Sequence, residues 1–143
     1  QSVENGLTAA GIEISWTLSE RELDNKLRNP GFFADYPVDT VISLANNDTE
    51  KAVDIILSND DISWKLYGEG RSEKLVYYLD KGLIQKLVVP NEYYMGYQSM
   101  ALAAQNIRYH VDKTEQSEVE FYIVSKENLY DEETSGILFP IVR

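Results

Sequence analysis

One pattern recurs four times along the chain: a short apolar run, a few polar turn residues, and then a segment with apolar residues at helical spacing. The apolar runs are "IEISWTLS", "TVISLA", "SWKLYGEG" and "QKLVV", and the helical segments are "ERELDNKLR", "EKAVDIILS", "EKLVYYLDKG" and "YYMGYQSMALAAQNIRY". Nearly continuous apolar runs of this length are typical of buried strands, whereas the longer periodic segments indicate amphipathic helices. The pattern therefore predicts repeated strand–helix units.

Local signals support the predicted element boundaries. Ser19 and Glu22 have the spacing of a capping box, which predicts a helix over residues 20–28. Gly82 is placed to end the third of these helices in the left-handed conformation. Before the first apolar run, "QSVENGLTAAG" reads as the end of an amphipathic helix that stops at Gly11. We therefore expect the chain to begin partway through such a unit.

Strands that alternate with helices through short turns indicate βαβ units with right-handed crossovers. The predicted fold class is α/β: a three-layer αβα lobe with a mostly parallel, flavodoxin-like sheet of about five strands, covered by helices on both faces. The stretch "VEFYIVS" predicts the last strand, and "KENLYDEETSGILFPIVR" predicts an irregular tail. A length of 143 residues suits one domain around one core.

Charge and composition exclude several functions. The chain has 13 Lys and Arg against 24 Asp and Glu, a net charge of −11, which should repel nucleic acid and anionic membranes. It has no Cys and one His, which excludes disulfides, thiolate metal sites and a histidine-rich zinc site. We therefore predict no nucleic-acid partner, no metal and no cofactor.

The residues also offer little for catalysis. The stretch "GEGRSE" supplies two glycines but not a phosphate-binding motif, and no G-x-S-x-G sequence occurs. His110 follows the C-terminus of the fourth helix. We predict that its side chain interacts with the helix dipole and takes no part in catalysis. We therefore predict that the chain is not an enzyme. Because fold alone does not fix function, an enzyme with a flavodoxin-like fold is kept as the weakest alternative.

In a parallel sheet, the turns that follow the strands meet at one edge, where ligands of such folds bind. The turn residues expected to be neighbours there are Trp16, Asn46, Asn47, Glu69, Arg71, Asn91 and Glu92. All of them except Glu92, together with Tyr93, are predicted to bind a ligand. Trp16 and Tyr93 offer aromatic faces that can stack on a sugar ring or another flat apolar surface. The alternative for each polar residue is that it caps a helix and faces water.

The order and spacing of several motifs resemble a known family. The stretches are "DTVISLANNDTEKAVDII", "KLYGEGRSEKLVYYLDKGLIQKLVVPNEYYMGYQSMALA" and "VEFYIVSKENL". They resemble the C-terminal lobe of the type 1 periplasmic binding proteins, the sugar-binding proteins of ABC transporters. Effector domains of lactose-repressor-type regulators and extracellular sensor domains of receptors share that fold. The most specific elements are the strand end at Gly68, "YLDKG", "MGY" and "VSKEN".

The resemblance implies a noncatalytic solute-recognition lobe over residues 1–143, with the N-terminal lobe absent. Its ligand would be a sugar or another small polar solute held between two lobes, and its partners the missing lobe and a membrane transporter or receptor module. The implied location is extracytoplasmic, either periplasmic or at the cell surface. The alternative is a cytoplasmic effector domain of a lactose-repressor-type regulator. We also expect that the exposed inter-lobe surface could pair two copies as a homodimer.

Three positions depart from the resemblance. Ala45 stands where sugar-binding members usually have an Asn or Asp. Gly70 stands where they usually have an Asp, and Pro90 where they usually have a Gln. Each buried hydroxyl left without a partner costs about 1–3 kcal/mol. Either neighbouring polar residues have taken over with a different ligand, or the lobe no longer binds a small molecule.

Overall fold

The structure is a computed structural model that describes residues 2–29, 31–109 and 120–139. These residues form seven helices and four strands. The helices are α1 (Ser2–Ala9), α2 (Glu20–Leu27), α3 (Gly31–Asp35), α4 (Asn46–Ser58), α5 (Glu73–Asp80), α6 (Glu92–Tyr109) and α7 (Glu132–Leu138). The strands are β1 (Thr40–Ile42), β2 (Lys65–Glu69), β3 (Ile84–Pro90) and β4 (Phe121–Ser125). His110 and its predicted interaction lie outside the described residues.

The four strands form one sheet in the order β1-β2-β3-β4. The first three are parallel, with α4 and α5 as the crossovers between them, and β4 pairs with β3 in the antiparallel direction. The prediction of an α/β fold with a mostly parallel sheet is therefore confirmed. The strand predicted from "VEFYIVS" is β4.

One face of the sheet carries the core. Alternate residues of the four strands point to this face and are buried, among them Val41, Leu66, Leu87, Val89 and Val124. Residues from α4 and α5 join the same core cluster, among them Val53, Leu75 and Leu79. On the opposite face, Ile42, Val88 and Ile123 keep 42%, 39% and 53% of their surface exposed. Helices therefore bury one face of the sheet within the described residues.

The first predicted strand is not a strand. Residues 12–19 form neither helix nor strand and pair with no strand of the described sheet, which has four strands instead of about five. Trp16 packs its ring against Phe33 and Trp64, and its indole N–H donates to the carbonyl of Tyr36 at 3.2 Å. This aromatic contact, which the alternating pattern did not reveal, holds the segment beside the core instead of in the sheet.

Part of the predicted irregular tail after β4 forms α7, which the sequence pattern did not predict, and residues 140–143 of that tail lie outside the described residues. Asn128 links the end of β4 to this helix: its Oδ1 accepts the Ser125 N–H at 2.7 Å and its carbonyl accepts the Thr134 hydroxyl. Leu129 and Leu138 are buried in the core. Polar side chains form most of these links, so hydrophobic spacing alone gave a weak signal.

The predicted helix boundaries hold at three positions. The Glu22 carboxylate accepts the backbone N–H of Ser19 at 2.8 Å and its hydroxyl at 2.6 Å, at the start of α2. Gly11 and Gly82 follow α1 and α5 with φ of +73° and +80°.

An ion pair joins α4 to α2: the Nζ of Lys51 in α4 lies 2.7 Å from a carboxylate oxygen of Asp24 in α2.

The first turn of α4 approaches the end of β2 very closely. A Cβ placed on Gly68 would lie 2.2 Å from Cγ2 of Thr49, so only glycine fits there. The Thr49 side chain is fully buried, and its hydroxyl lies 2.8 Å from the carbonyl oxygens of both Ala45 and Glu69. This contact fixes the start of α4 against the end of β2.

Replacing Gly68 by Ala should destabilise the fold by about 1–3 kcal/mol, because the added methyl group overpacks the contact with Thr49. The matched control is Gly96→Ala in α6, where nothing lies within 4 Å of the added Cβ. The control should raise stability by about 0.5–1 kcal/mol, since Ala suits a helix interior better than Gly. Urea unfolding measures both changes. In a Thr49→Ala background the Gly68→Ala penalty should shrink; an unchanged penalty would contradict the steric explanation.

The capping box predicts a pH dependence at α2. Hydrogen bonds from the Ser19 hydroxyl and N–H lower the pKa of Glu22 from its ordinary value of 4.5. A lowered pKa in the folded state gives a stability contribution that is present above 4.5 and is lost as the pH falls through the folded value. NMR titration of the Glu22 carboxyl carbon should show a midpoint below 4.5 that Ser19→Ala moves upward. A midpoint unaffected by Ser19→Ala would show that the hydrogen bonds do not cause the shift.

Candidate functional site

An open cavity of about 390 Å³ lies at the carboxyl ends of the parallel strands. Its lining comes from the start of α4, the turn after β2, the end of β3 and the start of α6. The lining residues are Asn46, Glu69, Gly70, Arg71, Ser72, Pro90 and Glu92. The structure thus brings together Asn46, Glu69 and Arg71 of the predicted ligand-binding residues. It does so at the edge where parallel sheets bind ligands.

Asn46 occupies the space that a side chain at position 70 would need. Gly70 has a φ of +136°, and a Cβ there would lie 2.3 Å from Oδ1 of Asn46. That oxygen accepts the backbone N–H of Arg71 at 3.2 Å, while the Asn46 amide group donates to Glu50 at 3.0 Å. Asn46 therefore fills the space that the polar side chain expected from the resemblance at position 70 would need.

Three charged side chains surround the cavity. The Arg71 guanidinium donates to the carboxylate of Glu92, which joins the turn after β2 to the start of α6. The Glu69 carboxylate has no hydrogen bond or ion pair to any other described residue, and it is partly exposed. Two carboxylates against one guanidinium give the cavity a net negative charge.

Asn91 uses its side chain within the chain. Its Oδ1 accepts the N–H of Tyr94 at 3.1 Å and so caps α6, and its Nδ2 donates to the carboxylate of Glu120 at 3.1 Å. The backbone N–H of Asn91 donates to the Glu120 carbonyl at 2.9 Å. Asn91 lies beside the cavity without lining it, in the capping role that was the alternative for it.

The other three predicted ligand-binding residues lie elsewhere. Asn47 is exposed on α4 outside the cavity lining, and Tyr93 keeps 86% of its surface exposed on α6. Trp16 packs with Trp64, which directly precedes β2, and bonds to Tyr36, which precedes β1. Trp16 therefore lies near the amino ends of these strands, the edge opposite to the cavity, because the segment before α2 does not enter the sheet.

The ligand-binding prediction omitted two polar residues of the lining. Ser72 is the N-cap of α5, and its hydroxyl accepts the Leu75 N–H at 3.4 Å. Glu92 was expected only as a neighbour, although its first-turn position and its charge opposite to Arg71 were visible in the sequence. Ser72 gave the same signal as any helix cap, so the sequence could not separate it from a structural residue.

Ala45 and Pro90 take structural places at the cavity. Ala45 is the N-cap of α4 in an extended conformation, and its carbonyl accepts the Thr49 N–H at 2.9 Å. Pro90 is the last residue of β3 and pairs with Phe121 in the sheet register. Neither side chain can form a hydrogen bond with a ligand.

The described residues place no group of three or more His, Asp or Glu side chains close enough to hold a metal ion. Within the same residues, no helix combines the length and apolarity that crossing a bilayer requires.

Gly70→Ala should destabilise the chain by roughly 2–4 kcal/mol, since it combines an unfavourable φ with a clash that displaces Asn46 from the Arg71 N–H. The matched control is Gly82→Ala, which has a φ of +80° but nothing within 4 Å of the added Cβ. The control should lose only about 1–2 kcal/mol. Thermal unfolding compares the two, and equal losses would mean that the position of Asn46 adds no constraint at Gly70.

Solved structures of solute-binding proteins and of a candidate transcriptional regulator resemble this chain. A carbohydrate-transporter solute-binding protein from Agrobacterium radiobacter, solved with D-arabinose, is 19% identical with a TM-score of 0.64, over 82% of this chain and 39% of that chain. The glucose-galactose binding protein GanP from Geobacillus stearothermophilus is 19% identical with a TM-score of 0.65, over 79% and 40%. A candidate LacI transcriptional regulator from Bacteroides fragilis is 17% identical with a TM-score of 0.58, over 82% and 39%.

No protein-family model matches the sequence, and no curated protein matches it. The chain spans about 40% of the length of the solved proteins that it resembles. The agreement in structure confirms the resemblance predicted from the sequence motifs: this chain has the fold of the type 1 periplasmic binding proteins.

Proposed function

We propose that the chain is a noncatalytic solute-recognition lobe that holds a neutral sugar or a similar small polar solute at the cavity. A second lobe would cover the solute, and closure of the two lobes would report its presence to a transporter or a receptor module. The single observation that carries the proposal is the placement of the cavity. Polar side chains from α4, the β2–α5 turn and α6 converge there, at the carboxyl ends of the parallel strands.

The chemistry of the lining favours a ligand that is rich in hydroxyl groups. The Glu69 carboxylate can accept hydrogen bonds from two hydroxyls, and Arg71 has guanidinium N–H groups beyond the one directed at Glu92. The Ser72 hydroxyl can donate while its oxygen caps α5. These groups together replace the polar side chains that the resemblance expects at positions 45, 70 and 90.

The charge of the site argues against an anionic solute. Arg71 is the single cation of the lining, and Glu92 already neutralises it. A phosphorylated or acidic solute would have to compete with Glu92 for the guanidinium while it approaches Glu69. A neutral solute avoids this competition, which supports a sugar over a sugar phosphate.

The similar structures also suggest which kind of protein the lobe belongs to and where in the cell it acts. Two are solute-binding proteins for carbohydrates, and one is a candidate transcriptional regulator. An extracytoplasmic lobe of a transport or sensor protein is our first proposal. A cytoplasmic regulator domain is the second, supported by the regulator's shared fold. In both settings the cavity would bind a solute without chemical conversion.

NMR titration of the 15N-labelled chain with D-arabinose, D-glucose and D-galactose tests the proposal. At least one sugar should shift the amide signals of the cavity turns, at Asn46, Gly70, Arg71 and Ser72. Because one lobe supplies only half of the partners, the Kd should be on the order of millimolar, a free energy near −4 kcal/mol. A sugar phosphate should shift the same signals less at equal concentration.

Glu69→Gln is the variant for this titration, and Glu73→Gln is its matched control. Glu73 is an exposed residue in the first turn of α5 that does not line the cavity. Glu69→Gln should weaken the response several-fold, because the amide offers one acceptor oxygen where the carboxylate offers two. Equal responses of both variants, or sugar-induced shifts confined to other surfaces, would contradict a sugar site at this cavity.

A further inference from the structure

Helix α6 is the longest helix of the described residues, and none of its 18 residues is buried. Its outward side is apolar and strongly exposed. Tyr93, Tyr97, Met100 and Ile107 keep 86%, 65%, 75% and 78% of their surface in contact with solvent, and Ala104 is exposed between them. We call these five residues the α6 stripe.

The α6 stripe has the spacing of a helix–helix contact. Successive members lie four, three, four and three residues apart along the helix. This alternation places them on one seam, as in the a and d positions of a coiled coil. The partly buried residues Gln98, Leu102 and Asn106 lie on the other side of the helix. The seam therefore faces away from the body of its own chain.

The low charge of α6 favours contact between two copies along this helix. The chain carries a net charge of −11, so two copies repel each other over most approaches. Within α6 the charged residues are Glu92 and Arg108 alone, one in the first turn and one in the last. Neither belongs to the α6 stripe, so contact along the stripe buries no charge.

From the stripe and its charges we propose that a second copy of this chain packs on the α6 stripe, with the two α6 helices antiparallel. The antiparallel direction brings the acidic first turn of each helix alongside the basic last turn of the other and opposes the two helix dipoles. A parallel pair would align the two helix dipoles and place the two Arg108 side chains together. One patch then contacts itself across a two-fold axis, the usual form of a homodimer.

Layered packing of the seam pairs large side chains with smaller ones. In the register that joins a to d positions, Tyr97 meets the partner's Met100, and Tyr93 meets the partner's Ala104. From Tyr93 to Ile107 the stripe is about 21 Å long at 1.5 Å per residue, which is short for a permanent interface. The dimer is therefore weak and concentration-dependent. Added salt tightens it, because screening reduces the repulsion between two acidic copies.

Sedimentation velocity over a concentration series tests this dimer, with Met100→Glu as the disrupting variant. The substitution places a carboxylate from each copy in the seam and should raise the dissociation constant at least about tenfold, since a buried unpaired charge is costly. The matched control is Gln105→Glu, which adds the same charge to an exposed position of α6 outside the stripe. The control should change the dissociation constant by less than about twofold, as expected for a charge outside a contact.

The chain contains no Cys, so single introduced thiols report the orientation. In a mixture of Tyr97→Cys and Met100→Cys chains, the two thiols should form a mixed intermolecular disulfide under mild oxidation, because the antiparallel register places these positions opposite each other. Tyr93→Cys, near one end, should not cross-link to itself in an antiparallel pair but would do so in a parallel pair. Efficient cross-linking of Tyr93→Cys would overturn the antiparallel arrangement.

Two outcomes would overturn the dimer itself. One is a wild-type chain that stays monomeric at every concentration and salt level. The other is equal dissociation constants for Met100→Glu and Gln105→Glu. Thermal unfolding of dilute Met100→Glu then identifies what the stripe contacts instead. A large loss of monomer stability would mean that the stripe covers a surface of its own chain, and no loss would leave the stripe facing solvent.

Discussion

The contact between Thr49 and Gly68 is the constraint on which the rest of the structure depends. Because Gly68 has no side chain, the first turn of α4 approaches the end of β2 closely enough for the Thr49 hydroxyl to reach the Glu69 carbonyl. Asn46 lies one helical turn before Thr49, so the same approach brings its amide oxygen to the Arg71 N–H. Core packing and cavity geometry are thus set by one close approach of helix and strand.

Much of the fold could be read from the sequence, because local chemistry and global packing agree there. The capping box at Ser19 and the glycine after α5 are local signals that depend on two or three residues each. The first predicted strand and the tail failed for a different reason. Trp16 is held by Phe33 and Trp64, which are distant in sequence, and polar contacts through Asn128 join α7 to the end of β4. Neither kind of contact leaves a periodic trace.

The candidate site was predictable in place but not in detail. The rule that strand ends meet at one edge located Asn46, Glu69 and Arg71. This rule could not show that the Asn91 side chain forms hydrogen bonds with Tyr94 and Glu120, since a helix-capping Asn and a ligand-binding Asn look alike in sequence. Gly70 illustrates the converse: the sequence indicated a lost polar group, whereas the structure places the amide oxygen of Asn46 in that space.

The hydrogen bond between Asn91 and Glu120 joins residues that are 29 positions apart, with α6 between them. The entropic cost of bringing the two ends of a chain segment together grows only with the logarithm of the segment's length. Each doubling of the length adds about 0.6 kcal/mol. The long separation of Asn91 and Glu120 along the sequence therefore adds little to the entropic cost of their contact beyond that of a shorter connection. Because Pro90 and Phe121 also pair in the sheet, these two contacts together fix the start of α6 at the mouth of the cavity.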